Sequence, residues 1–399
     1  MLPLLILLGT YIVLAIGQPP LFRIDRAGAA VIGAILMVAF GGLPFDEAAR
    51  AVDYRTLVLL FGMMVLVAHL QMATFFRSAA RLVAAHVRHP AALVAAITVA
   101  AGVLSALFVN DTVCLMFTPI VIEVAALRGL SPLPLLLGVA TGANIGSVAT
   151  ITGNPQNMLI GSLSGIGYAR FAGALAPVAL VGLALNAALI CLLFRRDLSG
   201  AAAPPRPARI RPLHRRLMVK PLLVAAAMLV GFLAGVEPAL VAAGGAAALL
   251  VTRRIKPEKV WKRVDWDLLM LFVGLFIVIG GIEHAGLDRQ LFEWLRPLGL
   301  ETMHGLTAIA TLLSNVISNV PAVMLLSRFV PELPSPETAW LTLAMSSTLA
   351  GNLTLLGSIA NLIVLEGARR RGVTITFGQY LRVGLPVTLL TLAFGVWWL

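Results

Sequence analysis

The sequence predicts an all-α integral membrane protein built from two inverted repeats, each with a re-entrant helical hairpin and a broken transmembrane helix. Three observations predict this class: an apolar composition, an internal repeat, and basic residues clustered between apolar runs. Of the 399 residues, 59% are hydrophobic and 12% are charged, whereas soluble domains carry roughly 25% charged residues. Apolar runs of about 18 residues with few charges are typical of membrane spans. We therefore expect about ten spans plus two hairpins.

The internal repeat is clearest where residues 147–157 align without gaps on residues 351–361. Self-similarity over such a stretch indicates a duplicated architecture. The same order of apolar runs, amphipathic stretches and interrupted segments recurs on either side of the alignment. Three pairs of identical residues coincide in it: Thr150 with Thr354, Gly153 with Gly357, and Asn157 with Asn361.

The repeat divides the chain into two halves joined by a linker. The first repeat, 1–195, is predicted to hold a helix pair, a span, a hairpin at about 91–127, a broken span at about 132–165 and a span at 171–194. A basic, proline-rich linker follows at 196–218. The second repeat, 219–399, is predicted to hold a hairpin at about 304–330, a broken span at about 337–366 and a last span at 381–399.

The net charge of +12 is explained by membrane topology rather than by a nucleic-acid partner, because the basic residues lie in a few loops between apolar runs. With hairpins and broken spans placed as above, most lysines and arginines, including those of the linker, fall on one side. The positive-inside rule makes that side cytoplasmic and puts both termini outside. The expected location is a bacterial-type inner membrane, crossed many times by repeats of opposite orientation.

Polar residues interrupt the apolar segments at four places, residues 110–112, 150–157, 314–321 and 346–361. Irregular backbone in hydrocarbon is tolerated only where it lines a cavity or packs in protein. Breaks at matching positions of two repeats indicate a binding site near the bilayer midplane. Pro155 and Pro321 are the expected hinges. The candidate binding residues are Asn110, Asp111, Thr112, Thr150, Gly153, Asn154, Asn157, Ser318, Asn319, Asn352, Thr354, Gly357, Ser358 and Asn361.

The chemistry expected of these breaks is ion binding without fixed positive charge. A broken helix leaves free N–H groups that can hold an anion, and its free carbonyls and polar side chains can coordinate Na⁺. No lysine or arginine lies in any of the four breaks. Recognition of an anion would therefore depend on backbone N–H groups and amide side chains.

Asp111 is the only acid in the four breaks. A charge near the bilayer centre costs about 2.5–3.5 kcal/mol on insertion scales, which favours a role as a proton or cation site. The alternative is a cap that bonds local N–H groups at the hairpin tip. Na⁺, if it is the coupling ion, is expected near Asn110, Asp111 and Asn319.

For two further pairs of matched residues, the sequence is compatible with either a functional or a purely structural role. The matched Asn110 and Asn319 either contact a ligand or make turns, since asparagine favours turns for local reasons. Gly153 and Gly357 either supply unusual dihedral angles at unwound points or allow close helix packing.

At these stretches the sequence resembles the ion-transporter superfamily. It is most similar to the citrate-transporter-like permeases that include arsenite-pump membrane subunits and one class of sodium–proton antiporter. Five motifs carry the resemblance: Asn110-Asp111-Thr112-Val113 with the following Thr118-Pro119, Ala143-Asn144-Ile145-Gly146-Ser147, Gly153-Asn154-Pro155-Gln156-Asn157, Ser318-Asn319-Val320-Pro321, and residues 351–361. The resemblance adds Asn144 to the candidate binding residues.

The resemblance implies a scaffold and a transport part in each repeat, a homodimer, and alternating access of the elevator type. Related dicarboxylate–sodium symporters carry Ser-Asn-Thr at both hairpin tips. Here the tips read Val109-Asn110-Asp111 and Ser318-Asn319-Val320. Both depart from the Ser-Asn-Thr pattern, which argues against dicarboxylate transport and against a standard pair of Na⁺ sites. Asp111 and the small size are more similar to the arsenite-pump and anion-permease branch.

The expected function is therefore secondary active transport of a small anion across the lipid bilayer, coupled to H⁺ or Na⁺, with no cofactor. The alternatives are an arsenite efflux permease and a Na⁺/H⁺ antiporter on the same scaffold. An enzyme is not expected, because the spans contain no His-Glu-x-x-His, Gly-x-Ser-x-Gly or acidic-pair motif. A nucleotide-binding P-loop is also missing from the sequence.

Overall fold

The computed structural model describes residues 2–17, 23–199, 215–252 and 254–399, and every regular element within these ranges is helical. The expected all-α class is thus confirmed. Six helices of the described ranges are long and apolar enough to cross a membrane: Tyr54–Met72, Pro90–Leu107, Asn110–Arg128, Tyr168–Leu193, Trp266–His284 and Phe377–Trp398.

The first half begins with a pair of apolar helices and ends with the longest helix of this half. A 3₁₀ helix, Ile151–Gly153, separates its eighth and ninth α-helices. The helices are α1 (Leu2–Ile16), α2 (Arg26–Ala39), α3 (Phe45–Ala51), α4 (Tyr54–Met72), α5 (Phe75–His86), α6 (Pro90–Leu107), α7 (Asn110–Arg128), α8 (Pro132–Ser147), α9 (Pro155–Ser164) and α10 (Tyr168–Leu193).

The second half repeats this order after the short α11 (Arg195–Leu198). Two 3₁₀ helices, Arg296–Leu298 and Val330–Glu332, lie in its loops. The helices are α12 (Arg215–Leu233), α13 (Pro238–Leu250), α14 (Pro257–Trp261), α15 (Trp266–His284), α16 (Asp288–Leu295), α17 (Met303–Ile317), α18 (Asn319–Leu326), α19 (Pro336–Ala350), α20 (Ile359–Arg369) and α21 (Phe377–Trp398).

The linker expected at 196–218 is shorter than the sequence pattern indicated. Residues 196–198 belong to α11, and α12 already begins at Arg215. Within this earlier start, Lys220 donates to the carbonyl of Val251 at 2.6 Å. The basic segment at the start of α12 is therefore helical and contacts the end of α13. A prediction based on apolar runs misses this segment because it carries charged residues. Residues 200–214 of the expected linker lie outside the described residues.

Matching aspartates start the two central spans. Asp53 accepts from the backbone N–H of Arg55 at 3.0 Å and begins α4, and Asp265 accepts from the N–H of Leu268 at 3.0 Å and begins α15. A carboxylate at this position satisfies N–H groups that have no partner within the helix. The same local signal therefore sets the start of the equivalent helix in each half.

Each central span packs on a helix of the other half: α4 lies on α13, and α15 lies on α2. A Cβ at Gly62 would come within 2.6 Å of the Ala242 carbonyl oxygen. A Cβ at Gly274 would come within 2.7 Å of the Ala30 carbonyl oxygen. Because small residues let helix backbones approach closely in membranes, these equivalent glycines fix equivalent crossings between the halves.

The hairpins also cross between the halves. The first hairpin, α6–α7, packs on α8 of its own half and through α7 on α20 of the other. The second hairpin, α17–α18, packs on α19 and through α18 on α9. The tips of both hairpins are thereby brought to the two breaks between α8 and α9 and between α19 and α20.

Candidate functional site

The four expected interruptions are narrower in the structure than in the sequence. Asn110 is the first residue of α7, so only Phe108 and Val109 separate it from α6. In the second hairpin, Ser318 alone separates α17 from α18. Pro155 occupies the first position of α9, where its missing N–H costs nothing, and Pro321 lies in the first turn of α18.

The expectation that the last break begins at residue 346 is wrong. The helix α19 continues to Ala350. The Ser346 hydroxyl donates to the Thr342 carbonyl and the Ser347 hydroxyl to the Leu343 carbonyl, each at 2.6 Å. Back-bonding of this kind satisfies a hydroxyl inside a helix, so these serines do not end it.

Asn144, in α8, joins the first hairpin to the break of the second half. Its Oδ1 accepts from Asn110 Nδ2 at 3.0 Å and from Ser358 Oγ at 3.2 Å. Its Nδ2 donates to Asn352 Oδ1 at 2.9 Å and to Asn361 Oδ1 at 3.2 Å. Since an amide offers two donors and two acceptor sites, Asn144 is fully satisfied, and only 1% of its surface is exposed. These five residues are called the Asn144 hub.

Thr348 occupies the equivalent position of α19 and forms a second hub with the break of the first half. Its Oγ1 accepts from Asn154 Nδ2 and Gln156 Nε2, both at 3.2 Å, and donates to Asn157 Oδ1 at 3.3 Å. These four residues are called the Thr348 hub. Each break is thus held by a side chain from the other half.

Asn157 and Asn361 hold their own breaks in the same way. Asn157 Nδ2 donates to the carbonyls of Ser147 and Thr150, at 3.1 and 3.0 Å. Asn361 Nδ2 donates to the carbonyls at the aligned positions, Gly351 at 2.7 Å and Thr354 at 3.2 Å. Both asparagines therefore replace the helical hydrogen bonds that the interrupted backbone lacks.

The two matched threonines, Thr150 and Thr354, tie each break to its own hairpin. Thr150 Oγ1 donates to the carbonyl of Ala106 in α6. Thr354 Oγ1 donates at 3.0 Å to Oδ1 of Asn315 in α17, whose Nδ2 donates to the Ala350 carbonyl at 2.9 Å. The threonine hydroxyl is thus accepted by a backbone oxygen, that of Ala106, in the first half and by a side-chain oxygen, that of Asn315, in the second.

Gly153 and Gly357 are required by close approach, and neither has a positive φ. A Cβ at Gly153 would lie 2.2 Å from the Ser147 carbonyl oxygen, and one at Gly357 would lie 2.7 Å from Asn315 Oδ1. The structure therefore favours the packing interpretation over unusual dihedral angles.

The second hairpin tip has two unusual features. Ser318 has φ 79° and ψ 159°, a region that is essentially restricted to glycine and costs about 1–3 kcal/mol for other residues. The next residue, Asn319, is 8% exposed, and its Oδ1 has no hydrogen-bond partner among the described residues. The first tip has neither feature, because Val109 is extended and Asn110 Oδ1 accepts from the N–H of Asp111.

Asp111 and Thr112 lie half-buried in the first turn of α7. The N–H of Asp111 donates to Asn110 Oδ1 at 3.0 Å. Its carboxylate has no hydrogen bond to a local N–H among the described residues, which does not fit the expected alternative of a hairpin cap. No hydrogen bond in the described ranges joins Asn319 to Asn110 or Asp111, so the second hairpin tip is not linked directly to the two candidate Na⁺ ligands of the first.

The two hubs form an interior that is amide-rich, hydroxyl-rich and free of fixed charge. No lysine or arginine of the described residues bonds to a hub residue, and the described ranges hold no group of three acidic, histidine or cysteine side chains that could bind a metal ion. Amides both donate and accept, so the hubs can serve an anion, a hydroxylated molecule or a hard cation.

Sequence reasoning missed Thr348, Gln156 and Asn315. Extending the alignment of the two breaks by three residues towards the N-terminus pairs Thr348 with Asn144, and this signal could have found the second hub. Asn315 gave no such signal, because its counterpart in the first hairpin acts through a backbone carbonyl.

Comparison with known proteins yields related membrane transporters. A family described as citrate transporter matches residues 11–350. A silicon efflux transporter from Oryza sativa subsp. japonica is 32% identical, and the alignment covers 94% of this chain and 93% of that protein. An arsenical pump membrane protein from Escherichia coli is 28% identical over 72% of this chain and 73% of that protein.

Among solved structures, the fold is similar to that of the YdaH transporter of Alcanivorax borkumensis. The TM-score is 0.60, and the match covers 98% of this chain and 94% of that chain. At 19% sequence identity, this likeness concerns the fold alone.

Proposed function

We propose that this chain, which belongs to the citrate transporter family, is a secondary active transporter of small anions that works by alternating access. Membership makes it a multi-pass membrane transporter of ions and not an enzyme. The observation that carries the proposal is the pair of hubs, in which both broken helices meet a polar, uncharged interior. Broken helices in matching positions are the usual substrate site of such transporters.

The proposed architecture is two inverted repeats with about ten spans and two re-entrant hairpins. The reciprocal contacts of α4 with α13 and of α15 with α2 support a two-fold relation between the halves. The second hairpin supports re-entry, since α18 has eight residues and would extend only about 12 Å. The first hairpin is longer, with 18 and 19 residues in α6 and α7. We propose that it is re-entrant too, because it occupies the same place in its repeat as the second hairpin.

The proposed motion is of the elevator type. The scaffold would comprise the entry pairs and central spans (α1–α4 and α12–α15), and the moving part would comprise the hairpins and broken spans. A few polar contacts cross between them: Ser162 Oγ donates to Asp53 Oδ2 at 2.7 Å, Arg328 pairs with Glu283 at 2.9 Å, and Tyr11 donates to the Pro321 carbonyl at 3.2 Å. Such contacts can be exchanged during sliding without unfolding either part.

The proposed substrate is a small anion or weak oxoacid rather than a strongly charged polycarboxylate. The hubs offer amides, hydroxyls and helix N-termini but no guanidinium or ammonium group, so they cannot neutralise several charges. The names of the silicon and arsenical relatives favour arsenite efflux as the second candidate. Coupling to H⁺ or Na⁺ is assigned to Asp111, and Na⁺, if it is the coupling ion, would bind near Asn110, Asp111 and Asn319. The protein would form a homodimer in the bacterial inner membrane, with both termini outside.

The test is a substrate screen in proteoliposomes by solid-supported-membrane electrophysiology, with Na⁺ and pH gradients varied separately. Arsenite, silicic acid, sulfate, phosphate, citrate and succinate are the trial substrates. Asp111→Asn should abolish the coupled current, whereas the matched control Asp46→Asn, at an exposed site in α3, should keep it. A robust Na⁺/H⁺ signal with no response to any of these substrates would instead support an antiporter.

A further inference from the structure

We propose that a file of water molecules runs along one face of α17, from a cavity at the loop end of the second hairpin to Asn319 at its tip. The pathway would give the coupling ion of the proposed function access to the tip from one side of the membrane. Its use rests on that function, but its existence does not. Four buried hydroxyl groups and one buried amide oxygen in this region have no hydrogen-bond partner among the described residues.

The hydroxyls of Thr307, Thr311 and Ser314 lie on one face of α17, and none has a hydrogen-bond partner among the described residues. Their spacing of four and three residues places them one above the other. Thr342 of the neighbouring α19 carries a fourth unpartnered hydroxyl. Ser318 and Asn319 follow directly after the end of α17 in the chain.

These hydroxyls differ from most others in the protein. Serine and threonine within a helix usually satisfy the hydroxyl by back-bonding to the carbonyl one turn earlier. Thr98, Thr118 and Thr141 do so here, at 2.7–2.8 Å. Because burying an unbonded hydroxyl costs free energy, a run of such groups without back-bonds indicates partners other than protein.

A cavity of about 200 Å³ lies at the loop end of this face. It is lined by Thr302, Leu306 and Thr338 among others, and it reaches Thr342. A water molecule takes about 30 Å³ in the liquid, so the cavity holds several. The cavity thus reaches one unpartnered hydroxyl, that of Thr342, and it is also lined by Leu306, the residue directly before Thr307.

Just beyond the C-terminal end of α17, Asn319 carries a buried Oδ1 that has no partner among the described residues. A buried water typically makes about three hydrogen bonds to groups that would otherwise remain unsatisfied. Hydroxyls one helical turn apart, followed by an amide oxygen, offer such a series of partners. The ligand class is therefore water, or a small hydrated cation that follows it.

The first hairpin provides an internal control, because the repeat places Thr98, Gly102 and Ser105 at the corresponding positions of α6. The Thr98 hydroxyl donates to the carbonyl of Val94. The space beside Gly102 is filled by the Leu183 side chain and the Gly142 carbonyl. Ser105 alone is unpartnered there. The continuous polar face is thus confined to the second hairpin.

The experiment is cysteine accessibility in proteoliposomes, in a background with Cys114→Ala and Cys191→Ala. Thr307→Cys, Thr311→Cys and Ser314→Cys should react with a small membrane-impermeant methanethiosulfonate added to one side. Ser105→Cys, the equivalent of Ser314, should react at least tenfold more slowly. Equal rates at residues 105 and 314, or no reaction at any of the three α17 positions, would overturn the pathway.

A plug in the cavity tests the route itself. Adding Thr338→Trp should slow labelling at residue 314 severalfold, and an unchanged rate would show that water does not enter there. If a cysteine variant fails to fold, the Thr311→Val and Thr311→Ser pair replaces it: the coupled current should fall with valine and persist with serine, and equal currents would argue against the pathway. Labelling is independent of transport, so its failure is distinct from failure of the proposed function.

Discussion

The two hairpin tips occupy equivalent places in the repeat but are held differently. Asn110 of the first tip is bonded to the saturated Asn144 hub and follows an extended Val109. Asn319 of the second tip has an unpartnered oxygen and follows a strained Ser318. Strain and unsatisfied groups of this kind persist at functional positions when the surroundings hold them. We therefore propose that Asn110 mainly holds the first tip in place, whereas Asn319 of the second tip is available for ligand contact or movement.

Removing the centre of the fixed region should have the largest effect. Asn144→Ala removes all four hydrogen bonds of this buried side chain, and each partner left unsatisfied costs about 1–3 kcal/mol. We expect a large fall in thermal stability in detergent and loss of transport. The matched Thr348→Val, which keeps the shape but removes one hydroxyl, should lower the melting temperature less. Equal stability of the two variants would contradict the assigned difference between the hubs.

Alanine substitution of the two matched glycines should show which of the two helix breaks is the more rigid. Gly153→Ala brings a Cβ against the backbone oxygen of Ser147, whereas Gly357→Ala meets the side-chain oxygen of Asn315. Overpacking costs about 1–3 kcal/mol, and a side chain can turn away more readily than backbone. Thermal unfolding should therefore show a larger loss for Gly153→Ala. The reverse order would mean that the first break is the more adaptable one.

Substitution of the two tip asparagines should divide stability from transport. Asn110→Ala leaves the Asn144 acceptor with one partner fewer, which should cost about 1–2 kcal/mol. Asn319→Ala removes an unpartnered acceptor and should leave the melting temperature nearly unchanged while reducing transport at least tenfold. Both quantities can be measured on the same purified protein. Normal transport by Asn319→Ala would remove the second tip from the site.

Relief of strain should have the smallest effect and the opposite sign. Ser318→Gly removes a cost of about 1–3 kcal/mol and adds the backbone entropy of glycine, about 0.5–1 kcal/mol. A net gain of about 1 kcal/mol in the free energy of unfolding is expected. Val109→Gly gains no such relief and should destabilise the protein. A loss of stability with Ser318→Gly would show that the serine side chain makes a needed contact.

The sequence was sufficient for the helical membrane class, because an apolar composition is read directly from it, and the alignment of residues 147–157 with 351–361 located the two breaks that follow α8 and α19. The exact ends of the breaks were not accessible. Ser346 and Ser347 read as helix breakers, yet each hydroxyl is satisfied inside α19. Extending the repeat alignment would have pointed to Thr348, but its bonds to Asn154 and Gln156 join residues almost 200 positions apart in the chain, and only the fold creates them.

The crossings at Gly62 and Gly274 have a consequence for the history of the chain. Since α4 packs on α13 and α15 packs on α2, each half covers part of the apolar surface of the other. Two copies of a half-length ancestor, inserted in opposite directions, could have made the same contacts as a homodimer before gene fusion. Co-expression of separate halves, cut within residues 200–214, would then restore an intact protein, whereas either fragment by itself would be degraded.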